Sequence, residues 1–335
     1  MATFEELKKS IQKDIEAIQN LYHKLCEYFV GKEEIIELMC ICTAAQEPLL
    51  LVGGPGTAKS DLVIKFSQAL GLREEDYFEY MLTPFTDPSE ILGTIDLQQL
   101  KQGKYIRQTK GKLPTAKVAF LDEIFKSNSA ILNILLSILN ERKFYQNGQP
   151  VRVNLKMLFA ASNDIPESEE LSALKDRFTL KVESRLVHFE QFDRLLEVGL
   201  TNDIFAAFQL TPWANMATLE NFLRVRQYLR YLISGGERRN ELSFLQGVRQ
   251  DIQKYWPSSL YQLFEKMLLS LSKDLNIQIS DRKVIKLYHL IRTKAFLFHG
   301  GEVRLEDLKL LKYIPQTNEQ FQALNQMVER ILSLQ

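Results

Sequence analysis

Residues 53–60 read GGPGTAKS, between an apolar run, LLLV at 49–52, and a helix-like stretch at 61–70. Glycines in such a turn let the backbone bend around a phosphate chain, while bared N–H groups and the following helix N-terminus supply partial positive charge. Lys59 is then placed to reach β- and γ-phosphates, and the Ser60 hydroxyl to ligate Mg²⁺. The residues expected to line the phosphates are Gly54, Pro55, Gly56, Thr57, Ala58, Lys59, Ser60 and Asp61. Ala58 stands where the strict pattern has glycine, and is expected in the first helical turn, which alanine suits. The bland alternative is a glycine-rich turn that only joins a strand to a helix.

A second pattern bears on that choice. Residues 118–121, VAFL, form a short apolar run that ends in Asp122 and Glu123. Carboxylates at the C-terminal end of a parallel strand lie beside the ligand crevice of an α/β sheet. Asp122 can hold the Mg²⁺ shell and Glu123 can polarise an attacking water. Alone, the pair could be two solvated acids opening a loop. Together with the upstream loop it points to hydrolysis of a nucleoside triphosphate.

The elements that must carry these residues follow from periodicity. Thr3 and Glu6 make a capping-box pattern ahead of Leu7, Ile11, Ile15 and Ile18 at helical spacing, and residues 33–45 form a second helix. Strands are expected at 49–52, 77–82, 118–121, 155–160 and near 178–182, with helices at 87–92 and 171–177 and one capped by Ser127 or Asn128. Two β-hairpins are expected, one of 95–97 with 104–107, the other of 143–146 with 151–154 about Asn147-Gly148. Beyond Val187 strands cease, and helical periodicity marks 188–199, 217–233, 260–275, 281–299 and 305–313. Residues 201–216 and 234–240 look like loops, and Asp281 looks like a helix cap. The division expected is 1–187, an α/β nucleotide-binding core, and 188–335, an all-α lid ending in an amphipathic helix with Met327, Val328, Ile331 and Leu332.

The 335 residues carry 42 basic and 42 acidic side chains, so no bulk charge draws the chain to nucleic acid or to a membrane surface. No apolar stretch is long enough to span a bilayer and the charged N-terminus has no signal-peptide pattern, so a cytoplasmic protein is expected. Cys26, Cys40 and Cys42 fit no zinc spacing and are expected as reduced core thiols. Trp213 and Trp256 are expected to pack, and His188, His289 and His299 form no nucleophile triad pattern.

Phosphate loop, acid pair, Asn163 at the end of a strand and helical lid together resemble the AAA+ ATPases. GGPGTAKS and the two hairpins resemble the MoxR branch. The stretches FLDEIFKSNSAILNILLSILNERKF, LFAASNDIPE, LSALKDRF and ISDRK followed by AFLFHGG resemble the RavA subfamily, without its additional C-terminal partner-binding domain. The fold this implies is a P-loop AAA+ core, a parallel sheet flanked by helices with hairpin insertions in helix two and before strand four, plus an α-helical lid. The resemblance further implies ATP or ADP with Mg²⁺ as ligands, Asn163 as the strand-four sensor that orients water, and Arg177 as a finger reaching the next subunit's site. It makes Arg282 a lid arginine on the γ-phosphate of its own subunit, and Val30 and Gly31 the segment against the adenine. It also implies a homo-oligomeric, hexameric ring that remodels a client protein, beside a protein with a von Willebrand factor A domain.

Two other function classes remain open on the sequence. A nucleic-acid remodeller would use Lys101, Lys104, Tyr105 and Arg107 of the first hairpin as its contact surface, against which the neutral net charge argues. A nucleotide-gated scaffold with little turnover would not need the intact Glu123 and Asn163.

Overall fold

The computed structural model describes residues 3–187, 189–236 and 241–334. The chain divides into two compact units, one of Gln46–Gln68 with Leu72–Leu186, the other of Met1–Ala45, Ala69–Gly71 and Val187–Gln335.

Two helices open the chain, α1 (Phe4–Cys26) and α2 (Glu33–Ala45). The capping box forms: Glu6 N donates to Thr3 Oγ1 at 3.3 Å and Thr3 N to Glu6 Oε2 at 2.8 Å. The α/β unit follows with β1 (Leu49–Val52), α3 (Lys59–Ala69), β2 (Tyr77–Met81), α4 (Pro88–Leu92), α5 (Leu97–Lys101), β3 (Val118–Asp122), α6 (Ser129–Glu141), β4 (Lys143–Gln146), β5 (Gln149–Arg152), β6 (Met157–Ser162), α7 (Ser172–Arg177) and β7 (Leu180–Glu183). Five strands form one parallel sheet in the order β2-β3-β6-β1-β7. Every residue of β1 and β6 is buried, which is why both read as unbroken apolar runs rather than alternating ones. β6 starts and ends two residues later than expected, because Asn154 N is taken by Pro114 O and pairing begins at Met157 with Val118.

The first expected hairpin does not form. Asp96 Oδ1 accepts from the N–H of Gln98 at 2.9 Å and of Gln99 at 3.1 Å, and this N-cap turns residues 97–101 into the one-turn helix α5. A single antiparallel bridge, Ile95 with Arg107, remains of the ladder. The second hairpin does form. Asn147 at φ 50° and Gly148 at φ 69° make a two-residue turn, which forces Gln146 opposite Gln149 and draws the return strand back to 149–152. Asn128, not Ser127, caps α6, its Oδ1 accepting from Ile131 N at 3.1 Å.

The helical unit continues with α8 (Phe192–Ala207), α9 (Leu219–Ile233), α10 (Glu241–Tyr255), α11 (Ser258–Asp274), α12 (Asp281–Phe298), a 3₁₀ segment (Leu305–Tyr313) and α13 (Gln320–Leu332). The loop expected over 201–216 is helical as far as Ala207, and α10 was not foreseen. The helix expected from His188 onward begins outside the described residues, as does part of the loop expected over 234–240. Ser280, not Asp281, caps α12, with Ser280 Oγ accepting from Lys283 N at 3.3 Å.

α1 and α2 belong with this helical unit and not with the α/β core to which a 1–187 division assigned them. The reason is specific pairing across the sequence. Asp14 of α1, 2% exposed, accepts from Asn221 Nδ2 at 2.7 Å and from Arg224 Nε at 2.9 Å on α9. The unit also contains a fully buried ion pair. Arg292 of α12 bonds Asp251 of α10 through Nε and Nη2 at 3.1 and 3.0 Å, and Tyr288 donates to the same carboxylate at 2.9 Å. No residue of α8 is buried, and Phe192, Leu195, Leu196, Leu200 and Ile204 are exposed along it. Among the described residues no helix is long and apolar enough to cross a membrane.

Candidate nucleotide site

The phosphate loop starts where β1 ends, at the C-terminal edge of the sheet. Gly53 N donates to Ser162 O at 3.0 Å, which ties the first loop residue to the end of β6. Gly56 lies at φ 77° and Ala58 at φ 65°, so the chain passes through left-handed conformations that turn successive N–H groups to one side. Ala58 is therefore not in the first turn of α3, as its residue type suggested; the helix begins at Lys59. An alanine there carries strain that a glycine would not. Thr57 Oγ1 donates to Gly54 O at 2.8 Å, and Lys59 Nζ to Gly53 O at 2.5 Å and Gly54 O at 3.0 Å. These bonds engage the Gly53 and Gly54 carbonyls with side chains of the loop itself. Asp61, at the start of α3, has its carboxylate engaged by Lys65 Nζ at 2.6 and 2.7 Å.

The acid pair stands against this loop. Ser60 Oγ is 3.4 Å from Asp122 Oδ2, and Asp122 Oδ1 accepts from Glu123 N at 2.8 Å. Glu123 sits at φ 51°, ψ 45°, again left-handed, at the start of a 3₁₀ turn over Ile124–Lys126. Strain held at a single non-glycine residue is a frequent mark of a functional position. Asn163, one residue beyond β6, donates through Nδ2 to Glu123 Oε1 at 2.7 Å, and Lys126 Nζ lies 3.3 Å from the same oxygen. Ser60, Asp122, Glu123 and Asn163 thus form one connected line from the phosphate loop to the third and fourth strands in chain order of the parallel sheet. Lys126 was not anticipated, since a lysine three residues past an acid is ordinary helix-surface chemistry.

The pair Ser60 Oγ and Asp122 Oδ2 is a hard oxygen donor set, of the kind that holds Mg²⁺ together with phosphate oxygens and water. Among the described residues there is no group of three or more His, Cys, Asp or Glu able to hold a metal.

The other expected site residues fall in different places. Arg177 closes α7 in the same unit and is half-buried; its Nε is buried without a hydrogen-bond partner. Val30 and Gly31 lie between α1 and α2, and Arg282 is exposed in the first turn of α12; all three are in the helical unit. Arg107 is half-buried, donating to Gly93 O at 2.9 Å and to Tyr105 Oη at 3.3 Å, with its guanidinium 5.6 Å from the centroid of the exposed Tyr105 ring. Trp213 and Trp256 are buried, the latter stacked on Tyr288 with centroids 5.4 Å apart. His299 pairs with Asp307 at 2.7 Å, while His188 lies outside the described residues. The three cysteines form no disulfide, Cys40 and Cys42 are buried and Cys26 half-buried, and burial raises the Cys26 thiol to about 11.

Comparison with known proteins agrees with this geometry. Residues 16–221 match the MoxR domain of the MoxR–vWA–beta-propeller ternary systems, and residues 257–328 match the AAA lid domain. Two uncharacterised proteins of Methanocaldococcus jannaschii are 32% and 38% identical over 89% of this chain, covering 69% and 70% of their own lengths. The chaperone MoxR1 of Mycobacterium tuberculosis is 23% identical over 52% of this chain and 46% of its own. A crystal structure of a Cytophaga hutchinsonii protein assigned as an ATPase superposes with a TM-score of 0.68 over 98% of this chain and 97% of its own, at 18% identity, and so shares the fold. A parallel five-stranded sheet with a phosphate loop, a helical lid and these matches place the chain in the MoxR family of AAA+ ATPases.

Proposed function

We propose that the protein hydrolyses ATP with Mg²⁺ and works as a RavA-like member of its family. The observation that carries this reading is the connected line of Ser60, Asp122, Glu123 and Asn163 beside the phosphate loop. Gly54 to Asp61 would bind the triphosphate, Lys59 exchanging its two loop carbonyls for phosphate oxygens. Ser60 and Asp122 would hold Mg²⁺, which when bound neutralises charge on the phosphates. Glu123 would accept the proton of the attacking water, and Asn163, bonded to it, would fix the direction in which it points. Arg177, its buried Nε lacking a hydrogen-bond partner among the described residues, would reach a neighbouring subunit's γ-phosphate. Arg282 would contact the γ-phosphate of its own subunit, and Val30 with Gly31 the adenine.

The assembly proposed is a homo-oligomeric ring, hexameric by resemblance, which couples hydrolysis to the remodelling of a client protein. The match to a domain from MoxR–vWA systems supports a partner with a von Willebrand factor A domain. Lys59→Ala tests the site directly: phosphate release should vanish and Mg·ATP binding should weaken. Wild-type turnover in that variant would refute the assignment. Salt-dependent binding of single-stranded nucleic acid would favour the remodeller instead.

A further inference from the structure

The geometry points to Ser184 as a positioning residue for nucleotide binding, one that sets the direction of the Ala58 N–H in the phosphate loop. This rests on the nucleotide-site reading above. Ser184 follows β7 directly and is 1% exposed. Its Oγ donates to Thr57 O at 2.7 Å, and its N donates to Val52 O at 2.7 Å, so it grips both the end of β1 and the middle of the loop. Its carbonyl presses on Gly53: a Cβ there would lie 2.3 Å from Ser184 O, which only a glycine avoids.

The consequence follows from peptide geometry. The described residues contain no cis peptide, and in a trans peptide the carbonyl and the next N–H point in opposite directions. Holding Thr57 O toward Ser184 therefore turns Ala58 N–H away from the protein interior, toward the side where phosphate oxygens would lie. It does so at the one loop peptide that leads into a strained alanine, φ 65°, where the backbone would otherwise relax. Without the hydroxyl, Thr57 O is a buried acceptor with no donor, and rotation of that peptide toward water removes an N–H from the cradle. Ser184 also follows Arg177 by seven residues, with β7 between them, so the expected finger at the end of α7 and the loop's anchor after β7 flank one strand.

The test is calorimetric titration of Mg·ADP into the full chain carrying Ser184→Ala or Ser184→Thr, with steady-state hydrolysis and nucleotide-free melting measured alongside. In Ser184→Ala, ADP affinity should fall roughly tenfold and KM for ATP should rise by a similar factor. The kcat at saturation should stay within about threefold, because Glu123 and Asn163 are untouched. Ser184→Thr keeps the hydroxyl and should recover most of the affinity. Affinity within twofold of wild type in Ser184→Ala overturns the proposal. So does a loss that falls wholly on kcat, or a loss that tracks the nucleotide-free melting temperature and is not recovered by threonine. If Ser184→Ala does not fold, Ser184→Cys supplies a weaker donor of nearly equal size, and unchanged ADP affinity in it is equally fatal. Lys59→Ala in the same titration separates the two levels. Unchanged Mg·ADP binding there removes the nucleotide site itself, whereas weakened binding there beside normal binding in Ser184→Ala removes only the role of Ser184.

Discussion

Replacing Ala58 with glycine should make this protein more stable. At φ 65° an L-residue pays about 1–2 kcal/mol for the approach of Cβ to its own backbone. Glycine escapes that cost but gives the unfolded chain more freedom, which takes back about 0.4–1 kcal/mol. The balance is a gain of about 0.5–1 kcal/mol, or about 2–4 °C in the melting temperature of the α/β unit. The reverse exchange at the neighbouring left-handed position provides a control. Gly56 lies at φ 77° with nothing within 4 Å of a built Cβ, so Gly56→Ala meets backbone strain and no collision, and should lose about 1 kcal/mol. Calorimetric melting of both variants without nucleotide measures the pair. Mg·ATP affinity in Ala58→Gly should change less than about threefold, since glycine adopts the same left-handed conformation without a Cβ. A lower melting temperature in Ala58→Gly would refute the reasoning, because it would mean that the left-handed turn at residue 58 costs nothing that glycine can relieve.

Other outcomes follow from the same contacts. Glu123→Gln keeps a partner for Asn163 but removes the carboxylate, so ATP should still bind while phosphate release falls about 10²-fold or more; loss of binding with rate would make Glu123 a ligand of the metal or a structural residue. Arg177→Ala should abolish hydrolysis while each subunit still binds ATP, and mixing it with Glu123→Gln subunits should restore some activity; mixed rings without rescue would leave Arg177 as a cation at a helix end. Asp251→Ala strands the charge of Arg292, which is 1% exposed, and should cost about 3–5 kcal/mol in urea unfolding; a loss under about 1 kcal/mol would show that Gly301 O and the Tyr255 ring suffice for that guanidinium.

The parts of the site legible in the sequence are those in which residue type and spacing do the chemistry. The order strand, glycines, lysine, hydroxyl fixes β1, the loop and α3, and an apolar run ending in Asp-Glu fixes β3. What escaped was set by single hydrogen bonds or by distant partners. Ser184 escaped because a serine after a strand carries no pattern, although its hydroxyl meets a loop carbonyl more than a hundred residues earlier. Ala58 misled because helix propensity favours alanine while the loop imposes a left-handed turn. Residues 95–107 misled because glycine at 103 suggests a hairpin, whereas the Asp96 cap decides for a helical turn. In α10 the buried positions are Gly247 and Asp251 rather than large apolar side chains, and the partner of Asp251, Arg292, lies forty-one residues away, so local periodicity understated it.

The pairing of α1 with α9 has a consequence for how the polypeptide is made. The helical unit is assembled from both ends of the chain, with the whole α/β unit inserted between its pieces. A ribosome adding about 5–20 residues per second finishes α1 roughly 10–40 s before α9, its partner, has been synthesised. During that interval α1 has α2 but not α9 to pack against, and Asp14 has no Arg224. The α/β unit, contiguous apart from three residues, can close first. α1 is therefore among the later helices to reach its full set of contacts, and a chain released early would carry a complete phosphate loop and an α1 without its α9 partner.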